Sequence, residues 1–235
     1  MKKKTVRILF FVCLLICICI FASSSIENSG GRNIHAILLA EEDSVTLRRG
    51  DILVRPNWGW LPGSCSVENG RKYGHVAFVT QGAAGKTMDE ALEKASVIEA
   101  LFFDQATRKF QFQKKDQIRE GKASISFGRK FKGIRYRLRM NLSKVQKEGM
   151  ITFLRNQLDG GYNILSVKKK FKTEEEKAMM LQNLKNENWH CATLVWDAYY
   201  LSAGVDIESN EGYLVYPSDL IASKYFDLPG GRIRF

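Results

Sequence analysis

An unbroken apolar run, Ile8 to Ala22, lies between a basic head (Lys2, Lys3, Lys4, Arg7) and the small residues Ser23-Ser24-Ser25. A basic start, an apolar stretch of about 7–15 residues and small residues behind it describe a secretory signal, here residues 1–25. A membrane span needs about 20 apolar residues, so an uncleaved anchor is the weaker reading of the same run. Residues 26–44 carry Gly30-Gly31 and Glu41-Glu42-Asp43, the polar mix of a linker. From 45 to 235 the pattern becomes that of one folded domain.

Within that domain the first half reads as strands. Gly50-Asp51 turns the chain into the apolar Ile52-Leu53-Val54, and Tyr73 to Thr80 is a second strand opened by His75. Ser96 to Phe103 is a third, apolar except for Glu99. Arg135 to Met140 alternates basic and apolar residues, which predicts a half-exposed strand. Residues 55–69, rich in Gly, Pro, Asn and Trp, and the basic stretch 104–133 read as loop, the latter with an edge strand. Helices follow. Ser143 caps one from Lys144 to Leu158, ended by Gly160-Gly161. Thr173 with Glu176 is a capping box for a shorter one, and Cys191 to Ala203 is a third, stopped by Gly204. Pro217 starts a last short helix. Strands first and helices after predict an α+β fold.

Composition changes this picture in one respect. The formal charge of +11 suggests an anionic partner. Lys2, Lys3, Lys4 and Arg7 leave with the signal, taking the charge to +7 and removing a nucleic-acid partner from the expectations. An exported protein in the extracellular space or cell envelope would instead meet anionic wall polymers or membrane surfaces. The run Lys168-Lys169-Lys170 reads as a solvated face. Cys13, Cys17 and Cys19 also leave with the signal; Cys65 and Cys191 remain. No phosphate loop, dinucleotide fingerprint or metal-ligand spacing is present, so no cofactor and no metal are expected.

Cys191 follows Asn188-Trp189-His190 at the start of a helix. There the unpaired N–H groups and the helix dipole favour a thiolate and can hold an oxyanion. Such a thiol should alkylate faster than a free cysteine near pH 7. The bland alternatives are a buried structural cysteine or a half-cystine with Cys65. A nucleophile needs a histidine base. His35 lies in the polar leader, and His190 is adjacent to Cys191, where successive helical residues do not face each other. That leaves His75, which could equally be a structural histidine at a strand end. Glu99 needs a partner among its apolar neighbours, and either orients an imidazole or blocks an edge as an inward charge.

Gly50-Asp51-Ile52-Leu53, Gly74-His75-Val76-Ala77, Ile98-Glu99-Ala100 and Cys191-Ala192-Thr193-Leu194-Val195-Trp196-Asp197-Ala198-Tyr199, in that order, resemble the YiiX/YaeF-like permuted papain-fold amidases, relatives of the NlpC-type cell-wall peptidases. Tyr162-Asn163 and Tyr216-Pro217-Ser218-Asp219-Leu220 add to the likeness. The resemblance covers about residues 45–225. It implies a circularly permuted papain-like fold, an antiparallel sheet packed on helices with the cysteine helix near the C-terminus. It implies a triad of Cys191 (nucleophile), His75 (base) and Glu99 (orienting residue), with Tyr162 near the substrate. Ala192 stands where many relatives carry Ser. Trp58 and Trp60 match nothing in the likeness and are candidate substrate contacts.

The function this implies is that of an exported cysteine amidase or endopeptidase acting on a peptide or amide substrate, with peptidoglycan the first candidate. A thiol-dependent acyltransferase or lipid hydrolase of the lecithin retinol acyltransferase type is the alternative. A non-catalytic basic wall-binding domain is the second alternative.

Overall fold

The apolar alternation predicted for the strands places Ile52, Val54, Val76, Phe78, Ile98, Ala100, Tyr136 and Leu138 in one core and Leu53, Ala77, Val79 and Val97 in another, on opposite faces of one sheet. The structure, a computed structural model, describes residues 45–56, 73–104, 109–110, 116–131, 133–208 and 212–235. The signal (1–25), the linker (26–44), His35, Trp58, Trp60 and Cys65 lie outside them. In chain order the elements are β1 (Thr46–Leu47), β2 (Ile52–Arg55), β3 (His75–Gln81), β4 (Ala83–Ala84), α1 (Met88–Lys94), β5 (Ser96–Ala100), β6 (Phe103–Asp104), β7 (Lys109–Phe110), β8 (Ile118–Lys122), α2 (Ala123–Phe127), β9 (Tyr136–Leu138), α3 (Lys144–Arg155), α4 (Glu174–Asn183), α5 (Cys191–Ala203), α6 (Pro217–Ala222) and β10 (Arg232–Arg234). The main sheet is antiparallel, in the order β10-β9-β2-β3-β5-β8. The expected α+β class, with an antiparallel sheet covered by helices, is what the chain forms. α3 and α5 cover the first face, and α1 and α2 pack on the second.

Two strand readings are corrected. Tyr136–Leu138 is not half-exposed: all three residues are buried, Arg137 included. The reason is β10, which pairs with β9 on its outer side and makes it an interior strand. In 104–133 the expected edge strand is β8, at the sheet's other edge, but it runs straight into a helix, α2, instead of a loop. As an edge strand of sequence Ile-Arg-Glu-Gly-Lys, β8 has only Ile118 as an apolar residue, so no periodic signal marks it.

The caps follow the expected chemistry with one difference. Ser143 and Gln146 form a complete capping box at α3. At α4 the Thr173 hydroxyl accepts the Glu176 N–H at 3.2 Å, but the Glu176 carboxylate accepts the Lys172 N–H instead of completing the box. Lys168 is not on a solvated face. It is buried and ion-paired with Glu208.

Helix α5 is apolar all round and buried on every side from Cys191 to Tyr199, as a helix without a polar face must be. The buried Thr193 and Asp197 are the exceptions, and burial pushes the Asp197 carboxyl well above the usual range. The Tyr199 hydroxyl donates to Gly50 O at 2.8 Å and ties the helix to the turn before β2. That turn has a positive φ of 95° at Gly50, which a side chain would strain. Beside it the Asp51 carboxylate, 1% exposed, takes a bidentate grip from Arg139 (Oδ1–Nε 2.7 Å, Oδ2–Nη2 2.8 Å) and accepts the Arg48 N–H. Removing one partner of a buried pair strands the other. Asp51→Ala is therefore expected to lower unfolding free energy by about 3 kcal/mol in urea titration.

Candidate active site

The segment that presents Cys191 is fixed from two sides. The Gln157 side chain accepts from Glu187 N and from Trp189 Nε1 (3.2 and 3.1 Å) and donates to Leu184 O at 2.7 Å. On the other side the Trp189 N–H donates to Gly161 O at 2.9 Å and its carbonyl accepts the Asn163 N–H at 3.0 Å. Gly160 is obligatory for this pairing, since a Cβ there would meet Glu187 O at 2.3 Å. The sequence reading of Gly160-Gly161 as a helix stop misses this second role, because Glu187 approaches only in the folded chain.

His190 is the N-cap of α5, with extended backbone and no side-chain cap bond, so the first-turn N–H groups stay available. Cys191 begins the helix as a free thiol, 1% exposed. The backbone N–H groups of Val76 and Ala192 lie close enough to favour its anion. Val76 can donate there because pairing of β3 with β5 begins only at Phe78↔Ile98. The thiol thus lies on the face of the sheet that α5 covers, by Val76 at the start of β3, the residue that follows His75.

His75 lies opposite Arg55 in the β2–β3 register, on the same face as Glu99. Its Nε2 is 2.8 Å from Glu99 Oε2. The carboxylate is further held by the Ser126 hydroxyl, which donates to Oε1 at 2.6 Å, and by Arg119 Nε at 3.6 Å. The imidazole stacks on Phe127, ring centroids 5.6 Å apart. Glu99 is therefore a satisfied buried carboxylate with an imidazole partner, and the His75–Glu99 bond leaves Nδ1 as the ring nitrogen for other chemistry.

Protonation differs from the expectation of a thiolate. Burial pushes the Cys191 thiol up to about 11, against the Val76 and Ala192 N–H groups and the Arg55 charge that favour the anion. Burial also lowers His75, assisted by the Arg55 charge and opposed by Glu99. The resting pair is neutral thiol and neutral imidazole. Helix-terminus arguments address only the local dipole, whereas desolvation at a fully buried sulfur outweighs it. The expected fast alkylation near pH 7 is accordingly withdrawn.

Tyr162 sits at the same place. Its ring meets His190 edge-on at 5.8 Å and Phe102 at 5.7 Å, and burial together with the Cys191 charge raises its hydroxyl well above the ordinary value. Trp58 and Trp60 lie outside the described residues. Two residues escape sequence reasoning. His190 is not turned away: as an N-cap it is outside the helix, and its Nε2 is 3.8 Å from Cys191 Sγ. Burial and the His75 charge lower it to about 4 while a bond to the Val215 backbone opposes them. Arg55 is 2% exposed on the His75 face, and nothing in the run Ile52-Leu53-Val54-Arg55 distinguishes a strand end from a buried cation.

Comparison with known proteins gives the following. No protein-family model matches the chain. The uncharacterized protein YycO of Bacillus subtilis (strain 168) is 50% identical over 36 residues, 15% of this chain and 15% of that protein. Among solved structures the chain is similar to the metalloprotein YiiX from Escherichia coli O157:H7, at 13% identity and TM-score 0.47, covering 80% of this chain and 96% of that one. Among the described residues, no three His, Cys, Asp or Glu side chains converge as a metal site requires. The chemistry below is carried by the chain's own side chains. No helix among the described residues is long and apolar enough to cross a membrane.

Proposed function

We propose that this chain is an exported cysteine hydrolase that cleaves amide bonds in peptides, those of the cell wall first among them. The reading rests on one observation: a free buried thiol stands at a helix start, where the N–H of Val76 favours its anion and the preceding residue, His75, is paired with Glu99. In this mechanism Cys191 is the nucleophile and His75 the general base. As Sγ attacks the substrate carbonyl, the S–H proton passes to His75, whose lowered basicity keeps it unprotonated beforehand. N–H groups at the start of α5 hold the oxyanion. Glu99 stabilises the imidazolium that forms. The C–N bond then breaks, the imidazolium proton leaves on the amine, and a thioester remains on Cys191. His75 next takes a proton from water, hydroxide adds to the thioester, and the carboxylic acid leaves as the thiol is restored.

A second reading, transfer of the thioester acyl group to another acceptor or hydrolysis of a lipid, is favoured by the apolar surroundings of Tyr162. Phe102 touches its ring, and Ile164, Leu165 and Val167, from 41 to 48% exposed, follow it in the chain. Incubating the mature protein with peptidoglycan fragments and with acyl lipids, followed by mass spectrometry, separates the two. Peptide products gaining one water support the amidase. Loss or transfer of acyl chains with peptides intact overturns it.

A further inference from the structure

Arg55 is the buried group for which this mechanism has no use. It is 2% exposed and makes one hydrogen bond, from Nη1 to Pro56 O at 3.1 Å, while its buried Nε has no partner. It forms no ion pair with any described residue. The carboxylate in the same neighbourhood, Glu99, is already taken by His75, Ser126 and Arg119. Aromatic faces hold the guanidinium instead: Phe131 at 4.0 Å and Phe127 at 6.0 Å, the latter shared with the His75 ring. A planar cation is thus positioned opposite His75 in the strand register, within electrostatic reach of Cys191, and given no anion of its own. Burying a charge without a counter-ion of its own is unfavourable, and the resting thiol and imidazole are neutral, so among the described residues only the shared Glu99 carboxylate offsets it. Guanidinium is the side chain suited to carboxylates, which it grips with paired N–H groups.

We propose that Arg55 is a carboxylate-recognition residue, selecting substrates that carry a free carboxylate next to the amide bond that Cys191 attacks. The proposal deepens the hydrolase reading and rests on it for the nature of the attacked bond, but its binding test does not require turnover.

The test uses the full mature chain bearing Cys191→Ala, with N-acetylglycine and N-acetylglycinamide as probes in calorimetric titration at pH 7. The carboxylate is expected to bind at least tenfold more tightly than the amide, and adding Arg55→Gln should abolish that preference. Equal affinities, or a preference that survives Arg55→Gln, would overturn the proposal. Should Arg55→Gln fail to fold, Arg55→Lys keeps the charge without the planar fork. It is expected to reduce the preference at least threefold, and an undiminished preference overturns the proposal. A second arm keeps Cys191 and compares alkylation by iodoacetate and iodoacetamide. Arg55→Gln should slow iodoacetate at least tenfold more than it slows iodoacetamide, which reads the thiolate alone. Parallel slowing of both reagents would assign Arg55 to the thiolate alone and refute ligand recognition. Carboxylate binding together with hydrolysis that survives Cys191→Ala would leave this site standing and remove the hydrolase reading.

Discussion

Cys191→Ala is expected to bring amide hydrolysis down to background, a loss of about 10⁴-fold or more in kcat, in a protein that still folds. The large effect follows from the position of the sulfur. Sγ lies at the start of a helix whose first N–H groups have no internal partner, and the Val76 N–H favours its anion. Replacement by Ala removes the only atom that can form the thioester and leaves the oxyanion donors in place. The small effect on folding follows from volume. Only one sulfur atom is lost from a helix that stays buried through Leu194, Val195, Trp196, Ala198 and Tyr199, a change of about 1 kcal/mol. Circular dichroism and a urea titration check the fold, and product release from the substrate identified by mass spectrometry checks the activity. Undiminished turnover by the variant would sink the nucleophile assignment.

The second prediction separates two histidines. His75→Gln is expected to lower kcat by about 10³-fold or more, and His190→Gln by about tenfold. Both rings are buried, His190 is 3.8 Å from the sulfur, and His75 is within electrostatic reach of His190, so proximity alone does not decide. What distinguishes them is the capacity to hold a proton in transit. His75 bonds to Glu99, an ion-paired carboxylate that stabilises the imidazolium. His190 has only the Val215 backbone to oppose burial and stands at about 4, so its protonated form is too unfavourable to serve as the acid for a leaving amine. Because burial lowers His75 from 6.5, the acid limb of kcat/KM should fall below that value in wild type, since activity is lost as pH drops through the base. Glu99→Gln removes the stabilising charge and should lower the base further, moving that limb to still lower pH while kcat falls. Greater sensitivity at His190 than at His75 would reverse the assignment.

Much of the site's composition is legible in the chain, and the structure adds the reasons for its arrangement. The apolar strand around Glu99 already signals that the carboxylate must find a partner, and the partner is His75. A helix beginning at Cys191 and ending at Gly204 is equally legible, because capping and the left-handed Gly204 are local events. Helix-neighbour geometry fails at His190 for an equally local reason. That rule applies inside a helix, and His190 is the cap, one residue outside it. An edge strand within 104–133 is legible but its bounds are not, since a strand exposed along one side needs no alternation to be stable.

The amino-acid sequence by itself determined the α+β class and which residue types could perform thiol chemistry, but not the chain order, since α1 and α2 fall among the strands and β10 follows the last helix. It did so because hydrophobic period, caps and turn residues act over a few positions. Tertiary structure alone decided the protonation of Cys191, the burial of Arg137 and Lys168, the need for Gly160 and the isolation of the Arg55 charge. Each of these depends on what approaches from far along the chain. Desolvation and close contact are properties of the assembled neighbourhood, and no local pattern encodes them.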